Sequence, residues 1–159
     1  MILIAFGSNL SGPWGAPKET VERAVFELEA AGSKITRLST LTETLPYGNP
    51  NQPTFINAVA LVETHKSPDA LMRSLHMIER RAGRRRGRRW GPRTVDLDLI
   101  DYHGLVRRKT SLDIKPLVLP HPGILLRRFV LEPIAEIAPR WRHPTTHQSA
   151  KDALRPLGC

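Results

Sequence analysis

Two aspartates, Asp96 and Asp98, stand two residues apart in Gly91-Pro92-Arg93-Thr94-Val95-Asp96-Leu97-Asp98-Leu99-Ile100. On a strand, residues two apart share a face and lie roughly 6.5–7 Å apart along the backbone. Both carboxylates therefore project together while Leu97 and Leu99 turn to the opposite side, toward a core. A carboxylate pair on a rigid surface can hold a hard cation. Magnesium takes one or two protein carboxylates and completes its shell with water and substrate phosphates. The same spacing also suits the plain polar face of a half-exposed strand. Asp is disfavoured in strands, so spacing alone leaves the two readings level.

Upstream lie Arg80, Arg81, Arg84, Arg85, Arg86, Arg88, Arg89 and Arg93, with no acidic residue among residues 80–93. Guanidinium forks match phosphate oxygens, and phosphoryl transfer depends on positioning and charge neutralisation beside a metal. Gly83, Gly87 and Gly91 give this basic loop the freedom of a lid. A solvated charge run or a nucleic-acid patch are the alternatives. Aspartates at the end of the run would repel nucleic-acid phosphates unless a cation intervened, so the combination favours a phosphoryl-transfer site. No Gly-x-x-x-x-Gly-Lys-[Ser/Thr] segment occurs, and no His/Cys cluster has zinc spacing.

The elements that must carry these groups follow from periodicity. Residues 1–6 are a short apolar run that stops at Gly7-Ser8-Asn9, which predicts a buried strand. Val21, Ala24, Val25, Leu28 and Ala31 recur at helical spacing over about 18–31, and Gly32 ends that helix. Residues 35–42 read as a second strand and 55–64 as a third, with Phe55, Asn57, Val59 and Leu61 on one face. Between them, residues 46–53 hold Pro46, Pro50 and Pro53 and can only be loop. Ser67-Pro68-Asp69 caps a helix running to about Ala82. Thr94–Tyr102 is the next strand, residues 117–119 a short one, and 127–138 a helix broken into two pieces at Pro133. This order describes an α+β sandwich of the split βαβ kind, with helices on one side of an antiparallel sheet.

The whole chain, residues 1–159, reads as a single domain. Its 24 Lys and Arg against 15 Asp and Glu give a net charge of +9, which favours nucleic acid, an anionic membrane face or a phosphorylated small molecule. The one cysteine, Cys159, allows no disulfide within the chain and fits a reducing compartment. The apolar start lacks a basic leader and is too short to span a membrane, so the expected location is cytoplasmic.

Four blocks, in order, carry a family resemblance over about residues 1–141. They are Ile4-Ala5-Phe6-Gly7-Ser8-Asn9-Leu10; Thr44-Leu45-Pro46-Tyr47-Gly48 with Gln52-Pro53-Thr54-Phe55-Ile56-Asn57-Ala58-Val59; Ile78-Glu79, Gly83-Arg84 and Gly91 through Asp98; and Leu119-Pro120-His121-Pro122 with Arg127 and Phe129-Val130-Leu131. The chain resembles the 6-hydroxymethyl-7,8-dihydropterin pyrophosphokinases of folate biosynthesis. That resemblance implies a ferredoxin-like βαββαβ sandwich, helices on the faces of its antiparallel sheet, and a C-terminal strand and helix extension. It implies transfer of pyrophosphate from MgATP to the pterin hydroxymethyl oxygen, with release of AMP.

By the same resemblance, Asp96 and Asp98 bind two magnesium ions, and Arg84 and Arg93 clamp the ATP phosphates. Glu79, Arg89, Trp90, His121 and Arg127 complete the nucleotide site. Phe55 and Phe129 sandwich the pterin, Asn57 hydrogen-bonds its edge, and Thr44, Leu45, Pro46 and Asp96 border it. A flat heterocycle between aromatic faces and an amide on its edge is sound chemistry, although without the resemblance two phenylalanines suit ordinary core packing better. The chain departs from the usual family pattern at Leu45, His76, Pro116 and Val118. A nucleic-acid module lacks its aromatic-studded basic strand here, and a catalytically dead pterin binder sits poorly with intact Asp96, Asp98, Arg84 and Arg93. The expected partners are ATP and the pterin, without membrane or nucleic acid, and a monomer is favoured.

Overall fold

A computed structural model describes residues 1–45, 51–83, 94–109 and 116–158. Strand β1 (Ile2–Ser8) is buried at every position, as an uninterrupted apolar run demands of a central strand. It continues two residues past the expected stop, so Gly7 and Ser8 belong to the sheet. Helix α1 (Pro17–Ala30) buries Val21, Ala24 and Leu28 along one stripe. Gly32 follows it at φ +99°, a left-handed conformation that favours glycine. Helix α2 (Pro68–Arg81) starts as its sequence dictates. The Ser67 hydroxyl accepts the Ala70 N–H, Pro68 occupies the first turn, and Arg80 and Arg81 complement the dipole in the last turn.

The second expected strand is two. Strand β2 (Lys34–Leu38) ends before Ser39, whose hydroxyl accepts the Val59 N–H while its own N–H donates to Val59 O. Next, the Glu136 carboxylate takes both the N–H and the hydroxyl of Thr40, at 3.0 and 2.8 Å. Pairing resumes as β3 (Thr42–Thr44), which sets Thr44 opposite Phe55 and Thr42 opposite Asn57 on β4 (Phe55–Glu63). With β5 (Asp96–Tyr102), these form a five-stranded antiparallel sheet ordered β2-β4-β1-β5, in which β3 also pairs with β4.

Helices cover both faces of the sheet, not one. Ile2, Ile4 and Phe6 of β1 meet α1 and α2, while Leu3 and Ala5 face α3 (Arg128–Ile137) and α4 (Ala150–Leu154). Alternation along a strand buried on both sides requires two cores. Helix α3 is continuous rather than broken, with Pro133 buried inside it. A proline inside a helix forfeits one ladder bond and crowds the preceding turn; burial of Pro133 within this short helix offsets that loss. The expected strand at 117–119 shrinks to an antiparallel bridge between Arg107 and Leu119. Among the described residues, no helix is long and apolar enough to cross a membrane.

Candidate active site

The register across the three middle strands builds the site. Asn57 on β4, Gly7 on β1 and Asp96 on β5 share one rung, and Val59, Ala5 and Asp98 share the next. The central strand therefore places the small residues Ala5 and Gly7 beneath the surface that Asn57 and the two aspartates flank. A cleft of about 710 Å³, counted out into open solvent, stands over this floor. Phe55 from β4, Thr44 and Leu45 from the end of β3, and Arg127 and Phe129 at the start of α3 complete its walls. A Cβ at Gly7 would lie 3.1 Å from Asn57 Oδ1 and 3.7 Å from Phe55 Cδ1, so a side chain there would fill the cleft from below.

Each wall is held from behind. The Asn57 amide donates to the Thr44 hydroxyl, which ties β3 to β4 at the cleft mouth. The Ser8 hydroxyl donates to Thr94 O, and the Asn9 amide donates to Gln52 Oε1 at 3.0 Å and Pro53 O at 3.2 Å. Leu45 is the outlier, an apolar side chain 81% exposed at the rim.

Asp96 and Asp98 are half-buried, alternating with buried Leu97 and Leu99 as the strand period requires. Arg127 Nη1 stands 3.7 Å from Asp98 Oδ2. His121 reaches the same corner because its N–H donates to Ile100 O at 2.9 Å on the outer edge of β5. Its Nδ1 accepts the Gly123 N–H at 3.1 Å, which leaves the proton of the neutral ring on Nε2. Burial, then the nearby Arg127 charge, pushes the His121 pKa down to about 4, against a smaller opposing pull from Asp96.

His121 is accordingly expected to stay neutral above about pH 5 in an NMR titration of its ring carbons. Because the unfolded chain protonates near 6.5, this residue draws stability from the fold at neutral pH. That contribution falls as pH drops from about 6.5 to 4. An ordinary histidine midpoint near 6.5 would remove this burial argument.

Two carboxylates on one strand face, open to a cleft and beside an arginine, supply the hard oxygen donors that magnesium takes. The same cleft also carries two aromatic side chains, Phe55 and Phe129, and the Asn57 amide, groups of the kind that suit a flat heterocycle.

A family model described as 7,8-dihydro-6-hydroxymethylpterin-pyrophosphokinase (HPPK) matches residues 3–139. The chain belongs to this family. The family's 2-amino-4-hydroxy-6-hydroxymethyldihydropteridine pyrophosphokinase from Synechocystis sp. is 36% identical over 152 residues, covering 95% of this chain and 75% of that protein. The protein of the same name from Pseudomonas aeruginosa is 37% identical over 144 residues, or 90% of this chain and 83% of that one. The folic acid synthesis protein fol1 of Schizosaccharomyces pombe is 36% identical over 155 residues. That match spans 97% of this chain but only 20% of fol1. As a family member, the chain is a pyrophosphokinase.

Of the family positions expected in the site, Thr44, Leu45, Phe55, Asn57, Asp96, Asp98, Arg127 and Phe129 line one cleft. His121 adjoins it through Ile100. Glu79 lies behind the strand, its carboxylate on the Leu97 N–H at 3.0 Å. Pro46, Arg84, Arg89, Trp90 and Arg93 lie outside the described residues. Motif reading missed the floor, Ala5 and Gly7. Its signal was present: Leu3, Ala5 and Gly7 alternate on one face of β1, and their sizes shrink toward the site.

Proposed function

We propose that this chain transfers the terminal pyrophosphate of MgATP to the hydroxymethyl group of 6-hydroxymethyl-7,8-dihydropterin, releasing AMP, as a step of folate biosynthesis. The observation that carries this reading is the sharing of one cleft by the carboxylate pair and the aromatic-and-amide wall. A phosphoryl acceptor lying on that wall would present its hydroxymethyl group toward Asp96 and Asp98. Two magnesium ions held by these aspartates would supply charge neutralisation for the ATP phosphates. Arg127 stands ready for the same phosphates, and Arg84 and Arg93 would close on them from the basic segment. Arg89 and Trp90 would act from that segment too.

His121, as a neutral donor, would steady a phosphate oxygen without adding another fixed charge to the corner. Phe55 and Phe129 would hold the ring, and Asn57 would match its donor and acceptor edge while Thr44 fixes the amide's orientation. We also read the strand order β2-β4-β1-β5 as a ferredoxin-like sandwich, and the enzyme as a cytoplasmic monomer.

The deciding experiment is an AMP-release assay with ATP, magnesium and the hydroxymethyl dihydropterin, each omitted in turn. AMP formed only when all three are present supports the reading, and no AMP from folded protein refutes it.

Gly7→Val tests where the ring sits. Filling the floor between Asn57 and Phe55 is expected to weaken pterin binding about 100-fold, or ~2.7 kcal/mol, in a fluorescence titration. Circular dichroism should remain that of the parent. Unchanged affinity in the folded variant would move the ring off this floor.

A further inference from the structure

A buried carboxylate stands behind the cation-binding face. Glu79, on α2, is only 5% exposed, and its Oε2 accepts the Leu97 N–H at 3.0 Å. Leu97 is the residue between Asp96 and Asp98, and its side chain is buried in the core under α1 and α2. Among the described residues, strand β5 lies at the end of the sheet order and pairs with β1 alone. Such an edge turns alternate N–H and C=O groups away from the ladder. Here the outward groups meet acceptors and donors from elsewhere: Glu79 takes the Leu97 N–H, and the His121 N–H meets Ile100 O.

We infer that Glu79 is a positioning residue for the cation site, acting through the Leu97 N–H to hold Asp96 and Asp98 in one direction. This rests on the proposal that those aspartates bind magnesium. A hydrogen bond to a buried group is costly to leave unmade. One such bond at Leu97, together with its buried side chain, fixes how the strand is rotated at this point. Rotation of the strand decides where the carboxylates on either side point. The family resemblance alone sets Glu79 at the edge of the nucleotide site. Its burial and its bond to Leu97 turn it inward, toward the back of the strand.

The test compares Glu79→Ala with Glu79→Gln, since the amide keeps an acceptor for the Leu97 N–H but loses the charge. Three quantities are read: hydrogen exchange at the Leu97 amide in the ligand-free protein, the half-saturating magnesium concentration, and the KM for ATP at saturating magnesium. The alanine variant is expected to exchange Leu97 faster and to need about tenfold more magnesium, the scale seen when a residue supporting a metal ligand is lost. Its ATP KM should stay within about twofold of the parent, and the glutamine variant should resemble the parent throughout. Where the alanine variant does not fold, Glu79→Asp, one methylene short of Leu97, takes its place.

A raised ATP KM with an unchanged magnesium requirement would make Glu79 a nucleotide contact and overturn the inference. So would a glutamine variant as damaged as the alanine one, because charge rather than the bond would then matter. Asp98→Ala separates the two layers of the argument. An unchanged magnesium requirement in that variant would refute the cation site itself, while the exchange rate at Leu97 reports on Glu79 regardless.

Discussion

Asp96→Ala and Asp98→Ala are each expected to lose about 1,000-fold or more in kcat, roughly 4 kcal/mol of transition-state stabilisation. Pterin binding should survive in both. The reason lies in the division of the cleft. The aspartates sit on β5, whereas Phe55, Asn57 and Thr44 come from β4 and β3 on the far side of Gly7. Removing a carboxylate leaves that wall and its Thr44–Asn57 hydrogen bond untouched. On the proposed assignment it would strip the magnesium of one of few protein ligands, where phosphate charge is to be neutralised. Single-turnover AMP release measures the first effect and equilibrium pterin fluorescence the second. Near-normal turnover in either variant would refute the metal assignment. Pterin affinity lost in parallel with turnover would instead mean that the two halves of the cleft are not separable.

What the sequence made legible was local. Ser67-Pro68-Asp69 announces the start of α2 because capping is decided within four residues, and the Asp-x-Asp pair shares a face because a strand alternates. The break between β2 and β3 was hidden, because Ser39 pairs with Val59 and Thr40 with Glu136, partners 20 and 96 residues away. Pro133 looked like a helix breaker. Only its burial against the second core explains why α3 runs through it. The covering of the second face was hidden for the same reason, since residues beyond Trp141 carry no motif and act by packing. Within the site, chemistry-bearing side chains were legible by type and spacing. The floor was not, since Ala5 and Gly7 matter for the space they leave.

Trp141→Ala should give the largest loss of stability, about 3–5 kcal/mol. Trp141 is 2% exposed in the second core, just beyond the end of α3, and its Nε1–H donates to Asp101 Oδ2 at 2.7 Å. Asp101 is itself 3% exposed on β5, and its other oxygen accepts the Gly104 N–H at 2.9 Å. Truncation therefore does two things: it opens a large cavity between α3, α4 and the sheet, and it takes a donor from a buried carboxylate. The second effect alone is worth about 1–3 kcal/mol. Trp141→Phe isolates it by keeping most of the packing while deleting the N–H. The alanine change should lower Tm by roughly 10 °C. Chemical denaturation should rank parent, Phe and Ala in that order, with little change in turnover at 25 °C while each variant stays folded. A loss under about 1 kcal/mol for Trp141→Ala would mean that the tail contributes little to the second core. The covering of that face by residues beyond α3 would then have to be reconsidered.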